Sequence, residues 1–367
     1  MLTECYAVLM QHLRRRFSTA LLFSLCLSSF AQDSTFKSQT QLVVVPVTVA
    51  DKNGNRVWDL KESDFVLLDN THERKITVEP WGTYESRVSL VVVVETSFLS
   101  DAALVRIRKM ASSLSDITGE NGEIAVITAD SGIHSLLDFT TEWEPLRDAF
   151  AKLHPSTDRA GHILDGLSAG VVLLEHRPQN RRRIILLLCE GHDRGSHSHP
   201  IDVLTFAEKE NVIIYTVNCS PFLTPFTVKN PPTDPTSPNN PTKAPSTVAM
   251  NSAIDVAPIT LDAAPGFEEV ARSFKFNIGK TLANYTGGRE LGFATDARLE
   301  KDLASLTAEV HSQYQISFAP PEDKRPVYHQ IEVQVKNRPD LMVHARPGYW
   351  VGVPVNAKPP QPAPVKQ

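Results

Sequence analysis

The stretch RVSLVVVVETSFLS, Arg87–Ser100, decides the fold. Its residues 88–94 form an almost unbroken apolar run, rich in β-branched side chains, that ends abruptly in a carboxylate and hydroxyl groups. Such a run is typical of a strand buried on both faces, as in a parallel sheet. Ligands of open α/β sheets bind outside the carboxyl ends of the strands. We therefore predict that Glu95, Ser97 and Ser100 lie at a binding rim.

Strand-like and helix-like segments alternate after this stretch. RRRIILLLCEG, from Arg181, and VIIYTVN, from Val212, indicate two more buried strands, and segments with helical spacing separate all three. The alternation predicts a parallel sheet covered by helices on both faces, over residues 87–312. Within this domain, residues 220–265 are rich in proline and predict a long insertion that is extended or disordered.

Both ends of the chain favour strands instead. Residues 32–86 and 313–352 alternate with period two or contain turn signals such as Asn53-Gly54. We predict that these two parts pair into one smaller all-β domain, into which the α/β domain is inserted. The alternative is two separate small β-units. The proline-rich tail, residues 353–367, is predicted to be disordered.

The amino terminus has a targeting pattern. A basic flank, Arg14–Arg16, precedes a short apolar run, and the small residues Ser29 and Ala31 follow. This predicts a signal peptide over residues 1–31 and an exported protein of the periplasm, outer envelope or extracellular space. An uncleaved anchor is the alternative. We expect no transmembrane segment in the mature chain.

Composition excludes some classes of function. The net charge is −5 and no basic stripe is present, so we expect no nucleic-acid partner. The Gly-x-Ser-x-Gly spacing at residues 166–170 falls within a segment that is predicted to be helical, so it is not a nucleophile elbow between a strand and a helix. No His-Glu-x-x-His or phosphate-binding glycine motif occurs, and we predict that the protein is not an enzyme. Cys189 and Cys219, which follow two buried strands, are predicted to be buried free thiols, with a disulfide as the alternative.

Several stretches together resemble one family. VPVTVADKNGNRVWDLKESDFVLLDN near the start, RRRIILLLCEGHDRGS in the middle, and LANYTGGRELGF and RPGYW near the end are similar to the von Willebrand factor A (VWA)-type proteins, specifically the VWFA-related domain family of the acidobacterial type. The resemblance covers nearly the whole chain after residue 31. It implies a doubly wound six-stranded sheet with a site at the top of its first and fourth strands.

In that family the site is a metal-ion-dependent adhesion site with the pattern Asp-x-Ser-x-Ser, a threonine from a second loop and a later aspartate. By resemblance, Glu95 and Ser97 take the first two positions, but Leu99 replaces the second serine, Gly161 the threonine and Glu190 the later aspartate. Mg²⁺ demands near-ideal octahedral oxygen geometry. We therefore predict a degenerate site without a tightly bound cofactor. The alternative is a weak Mg²⁺ site formed by Glu95, Ser97 and Glu190.

The resemblance also implies the function. We expect an exported protein that mediates protein–protein interaction, adhesion or scaffolding at the bacterial envelope, with an unknown protein partner. The predicted partner-binding rim consists of Glu95, Ser97, Ser100, Glu190 and Asp193.

A second class of function depends on another loop. The segment CEGHDRGSHSHP holds His192, Asp193, His197 and His199, and such donors suit zinc or copper. The alternative function is a metal-dependent hydrolase or metal-binding protein that uses the His192–His199 loop. The simpler interpretation is a solvated loop, because no spacing specifies a tetrahedron. Asp165, in HILDGL, is interpreted as a solvated or capping carboxylate.

Overall fold

The structure is a computed structural model that describes residues 42–79, 87–97, 99–157, 160–189, 193–219, 270, 273–274, 277–321 and 327–352. All of them belong to one unit of the chain, Gln41–Gln367. The predictions on the signal peptide (1–31), the proline-rich insertion (220–265) and the tail (353–367) lie outside the described residues. So do those on Glu190 and His192.

The first half of the described chain passes from short strands into alternating strands and helices. Its elements are β1 (Val43–Ala50), a 3₁₀ turn (Glu62–Asp64), β2 (Phe65–Asp69), β3 (His72–Glu73), β4 (Thr77–Glu79), β5 (Val88–Glu95), α1 (Asp101–Thr118), β6 (Glu123–Ala129), β7 (Ile133–Thr140) and α2 (Trp143–Lys152).

The second half continues the alternation and returns to strands. Its elements are α3 (Ile163–Glu175), β8 (Arg182–Cys189), α4 (Pro200–Lys209), β9 (Val212–Asn218), α5 (Ile278–Thr286), β10 (Glu290–Leu291), α6 (Asp296–Val310), β11 (Tyr314–Phe318), β12 (Val327–Val335), β13 (Met342–Ala345) and β14 (Gly348–Val351).

A six-stranded sheet forms the centre of the α/β part, in the order β10-β9-β8-β5-β6-β7. All neighbouring strands are parallel except β7, which runs antiparallel to β6. Every residue of β5 and of β8 is buried. The almost unbroken apolar run after Arg87 therefore forms a central strand, as predicted.

Helices cover both faces of this sheet. Val92 and Val94 of β5 belong to an apolar cluster with α1, α2 and α6. Val91 and Val93 point to the other face, into a second cluster with α3, α4 and α5. Since successive side chains of a strand alternate between faces, one run of valines supplies both cores. The prediction of a doubly wound α/β sheet is confirmed.

The chain ends form two smaller antiparallel sheets, in the orders β13-β1-β11-β4 and β14-β12-β2-β3. Strand β1 pairs with β11, and β2 pairs with β12, so each sheet joins the first part of the chain to the last. One apolar cluster contains Val45 and Tyr314 of the first sheet and Leu67 and Val333 of the second. The prediction that the two ends form one β-structure around the α/β part is confirmed.

Two helix boundaries also follow from single residues. The Oγ of Ser100 accepts the backbone N–H of Ala103 and caps α1. Gly287 ends α5 at φ 90°, a left-handed conformation that glycine adopts without a steric penalty. Among the described residues, no helix is both long and apolar enough to cross a membrane.

Candidate functional site

The carboxyl ends of β5 and β8 define the candidate site. From β5 the chain first adds β6 on one side and later adds β8 on the other, so the order of the sheet reverses between these two strands. A crevice for ligands forms at such a switch point. The described residues that surround it are 95–97, 99–100, 160–165 and 193–199, and we call them the rim.

Glu95 and Ser97 lie where β5 ends. Glu95 is fully buried, and Ser97 is 8% exposed. The Oγ of Ser97 donates a hydrogen bond to the backbone carbonyl of Ala160 at 2.9 Å. Ser97 therefore ties the loop after β5 to the loop before α3. Glu190, the third residue of the alternative Mg²⁺ site, lies outside the described residues.

Three further residues of this region are engaged in the fold. Leu99 is 4% exposed and belongs to the apolar cluster beneath α1, so its position supplies no oxygen ligand. Gly161 has no side chain, and its carbonyl accepts the backbone N–H of Arg194 at 2.9 Å. Ser100 is exposed and caps α1. Whether Glu95, Ser97, Ser100, Glu190 and Asp193 bind a partner stays a prediction.

Asp193 holds the loop after β8 against the start of α3. Its Oδ1 accepts the backbone N–H of Leu164 at 3.1 Å and the hydroxyl of Ser196 at 2.6 Å. The Oγ of Ser196 in turn accepts the backbone N–H of Asp165 at 3.1 Å. The first N–H groups of a helix have no partner within the helix. The loop therefore caps α3, and the negative charge of Asp193 interacts favourably with the positive, N-terminal end of the helix dipole.

The carboxylate of Asp165, in the first turn of α3, accepts hydrogen bonds from the loop after β8. Its Oδ1 accepts the backbone N–H of Ser198 at 2.8 Å, and both carboxylate oxygens lie near the backbone N–H of His197, at 3.1 and 3.0 Å. The residue is 3% exposed. The interpretation as a solvated carboxylate is therefore wrong, and the N–H groups that Asp165 accepts belong to a loop and not to the end of a helix. Helix α3 and the loop after β8 are bonded in both directions, and we call this arrangement the clasp.

The clasp lowers the pKa of Asp165. Burial by itself raises the pKa, because it disfavours the charged carboxylate, but the hydrogen bonds from His197 and Ser198 stabilise that form and outweigh it. The pKa of Asp165 is therefore below the ordinary value of 3.8. The carboxyl of Asp165 is therefore ionised at neutral pH.

Two imidazole rings face this carboxylate. The Nδ1 of His197 lies 3.2 Å and the Nδ1 of His162 lies 3.7 Å from Oδ2 of Asp165. The His162 side chain is 13% exposed and that of His197 is 85% exposed. Ligand atoms of the three residues lie within 4.8 Å of one another, a spacing that suits a metal ion.

The sequence interpretation found only one of these three residues as a metal ligand. It grouped His197 with His192, Asp193 and His199, but Asp193 is occupied by the clasp. His162 and Asp165 were missed because they lie in another segment. Their signal was a His-x-x-Asp spacing at the start of a helix that follows a loop of the same rim.

No protein-family model matches the chain, and no curated protein matches it. The solved structures that are similar to it include the following three. Proximal thread matrix protein 1 from the mussel byssus is 11% identical, with a TM-score of 0.42, over 68% of this chain and 51% of its own. The vWF domain of the type V pili tip protein Mfa5 from Porphyromonas gingivalis is 19% identical, with a TM-score of 0.26, over 30% of this chain and 40% of its own.

The third is an aerotolerance-related membrane protein from Bacteroides fragilis, 14% identical, with a TM-score of 0.31. The similarity covers 35% of this chain and 66% of that protein. This chain therefore spans less than two thirds of each of these three structures. Structural neighbours include VWA-domain proteins, and the likeness concerns the fold only.

Proposed function

We propose that this protein is an exported VWA-type protein whose rim binds another protein, and that this binding does not depend on a tightly held Mg²⁺ ion. The observation that supports it is the clasp. Asp193 and Asp165 bond α3 and the loop after β8 in both directions, at the switch point where α/β sheets bind their ligands.

A rim held in this way suits recognition. Loops that are already ordered lose less conformational entropy when a partner binds, so more of the contact energy appears as affinity. Arg194 and His197 of the clasp loop are exposed, and Ser100 is exposed at the start of α1. These exposed side chains lie on the surface of the rim, while the backbone of Arg194 and His197 is hydrogen-bonded to Gly161 and Asp165.

The proposal of Mg²⁺ independence rests on two residues. At the positions that the resemblance assigns to hydroxyl ligands, Leu99 is buried in the apolar core and Gly161 offers only its backbone. An octahedral Mg²⁺ site needs several oxygen ligands at short, nearly uniform distances. With two hydroxyls replaced, the remaining oxygens define such a site poorly.

Site-specific photo-crosslinking in the native host tests the proposal. A photoreactive amino acid replaces His197 at the rim, and in a matched variant it replaces Glu120, which is exposed at the opposite end of the sheet. We expect a discrete crosslinked protein from position 197 and none from position 120, with or without a Mg²⁺ chelator. The same crosslinks from both positions, or none from position 197, would contradict the proposal.

A further inference from the structure

His162, Asp165 and His197 converge on a point beside the clasp. Oδ2 of Asp165 faces the Nδ1 atoms of both histidines, at 3.7 and 3.2 Å. The two imidazole rings are nearly perpendicular, with centroids 6.0 Å apart. The three side chains come from two elements, the start of α3 and the loop after β8, which the clasp bonds together.

These distances match those within a metal site. Zinc bonds to imidazole nitrogen and carboxylate oxygen are about 2.0–2.1 Å long, so neighbouring ligand atoms of a tetrahedron lie about 3.3–3.4 Å apart. The separations of 3.2 and 3.7 Å in the structure lie on either side of that value. All three ligand atoms lie within 4.8 Å of one another, so small adjustments of the side chains place them around one ion.

We propose that His162, Asp165 and His197 form a binding site for a divalent transition-metal ion of the zinc class. Two imidazoles and one carboxylate are the donors that such ions prefer, and three protein ligands leave one coordination position open. That position accepts water or an oxygen or nitrogen donor from another molecule. The proposal does not rest on partner binding at the rim, and it uses neither Glu95, Ser97 nor Glu190.

Surrounding contacts hold two of the three ligands in place. The backbone N–H groups of His197 and Ser198 orient the Asp165 carboxylate. A Cβ atom on Gly195 would lie 2.8 Å from Nε2 of His162, so the absence of a side chain there lets the loop pack against this ring. Such supporting contacts orient metal ligands and raise affinity. The exposed His197 gives an ion access from solvent.

The competing interpretation is a simple hydrogen bond between His197 and Asp165. In that case the Nδ1–H of His197 donates to the carboxylate, and His162 only packs beside it. The two interpretations differ in their response to zinc, because a solvated hydrogen bond adds no stoichiometric metal affinity.

Calorimetric titration distinguishes the metal site from the simple hydrogen bond. The untagged full chain is treated with a chelator and then titrated with Zn²⁺. We expect one Zn²⁺ per chain. Loss of a ligand in His197→Ala or in His162→Gln should lower the affinity at least about tenfold, since changes to residues that merely support a ligand already have effects of this size. His199→Ala, a neighbouring histidine outside the cluster, is the matched control and should bind like the wild type.

Absorption of Co²⁺ gives a readout of geometry. We expect the intense visible band of four-coordinate Co²⁺ in the wild type and in His199→Ala, and its loss in His197→Ala. His197 is exposed and contributes to the clasp through its backbone, so this variant should keep the wild-type melting temperature. No saturable Zn²⁺ binding, or binding that both cluster variants leave unchanged, would overturn the proposal.

Discussion

The carboxylate of Asp165 accepts the backbone N–H of His197, with its two oxygens 3.1 and 3.0 Å from that nitrogen. This contact joins the first turn of α3 to the loop after β8, across 32 positions of the chain. It is the inner half of the clasp, and the outer half is the bond from Leu164 to Asp193. We expect both contacts to hold the loops of the rim in their observed conformation.

Removal of the Asp165 carboxylate should therefore destabilise the protein. Asp165→Ala leaves the N–H groups of His197 and Ser198 without their acceptor, and we expect a loss of about 1–3 kcal/mol in the free energy of unfolding. Urea denaturation measures it. Asp148→Ala removes an exposed carboxylate of α2 and is the control, with an expected change within about 0.5 kcal/mol. Equal stability of the two variants would refute the role of the clasp.

The contribution of Asp165 should vanish in acid. Because the folded-state pKa of this carboxyl is lower than its ordinary value of 3.8, the native state binds a proton less readily than the unfolded state. The stabilisation is complete above the unfolded pKa and is lost as the pH falls through the folded one. We expect the stability difference between wild type and Asp165→Ala to shrink as the pH falls below about 4. A difference that grows in acid would contradict this sign.

Gly166 allows α3 to approach the sheet. A Cβ atom there would lie 2.9 Å from Cγ1 of Val93 and 3.1 Å from Cβ of Ala129, both in the packed sheet. The strain of overpacking, about 1–3 kcal/mol, exceeds the gain in helix propensity of about 1 kcal/mol. We expect Gly166→Ala to lower the free energy of unfolding and to displace Asp165 from the clasp.

Gly170 on the same helix is the control for this prediction. Its Cβ atom would lie 3.0 Å from Cδ1 of Ile185, the end of a flexible side chain, which is able to move aside. We expect Gly170→Ala to change the stability by less than about 1 kcal/mol. Denaturant unfolding of both variants compares them, and a Gly170→Ala loss as large as that of Gly166→Ala would contradict the argument.

Glu208 should make the stability depend on pH near neutrality. It is buried beside a cavity of about 210 Å³ where α4 meets β14. Burial raises its pKa to about 7, although the nearby Arg346 and the backbone N–H of Trp350 lower it. The native state therefore keeps a proton that the unfolded state loses above pH 4.5, so the contribution of Glu208 to stability is greatest below pH 4.5 and falls until about pH 7.

The free energy of unfolding should decrease by about 3 kcal/mol at most because of Glu208, and urea denaturation at pH 5 and pH 8 measures this decrease. Glu208→Gln keeps an oxygen for the N–H of Trp350 but has no titrating proton. We expect this variant to lose the pH dependence, whatever its absolute stability beside the buried Arg346. The same slope in the variant and the wild type would exclude Glu208 as its source.

The sequence was sufficient for the fold because its main signals are local. The valine run after Arg87 is apolar at every position from 88 to 94 except Ser89, a pattern typical of a strand covered on both faces, and Ser100 has the side chain that caps α1. The pairing of the two chain ends was also predicted, because period-two segments occur at both ends of the α/β part.

The metal-ligand geometry was not predictable in this way. His162 and Asp165 reach His197 because α3 packs closely on the sheet at Gly166 and the loop after β8 turns at Gly195. The contact between His197 and Asp165 depends on tertiary packing between two segments 32 residues apart. A count of histidines within one loop could therefore identify His197 but not its partners.

We propose that the rim binds its partner without a tightly held Mg²⁺ ion. Calorimetric titration of the untagged, chelator-treated full chain with Mg²⁺ measures whether such an ion is held. A Glu95→Ala variant runs beside the wild type, because Glu95 takes the first ligand position that the resemblance implies. The account predicts no saturable heat with Mg²⁺ in either protein. Saturable Mg²⁺ binding in the wild type that disappears in Glu95→Ala would contradict it and would show a working adhesion site at the end of β5.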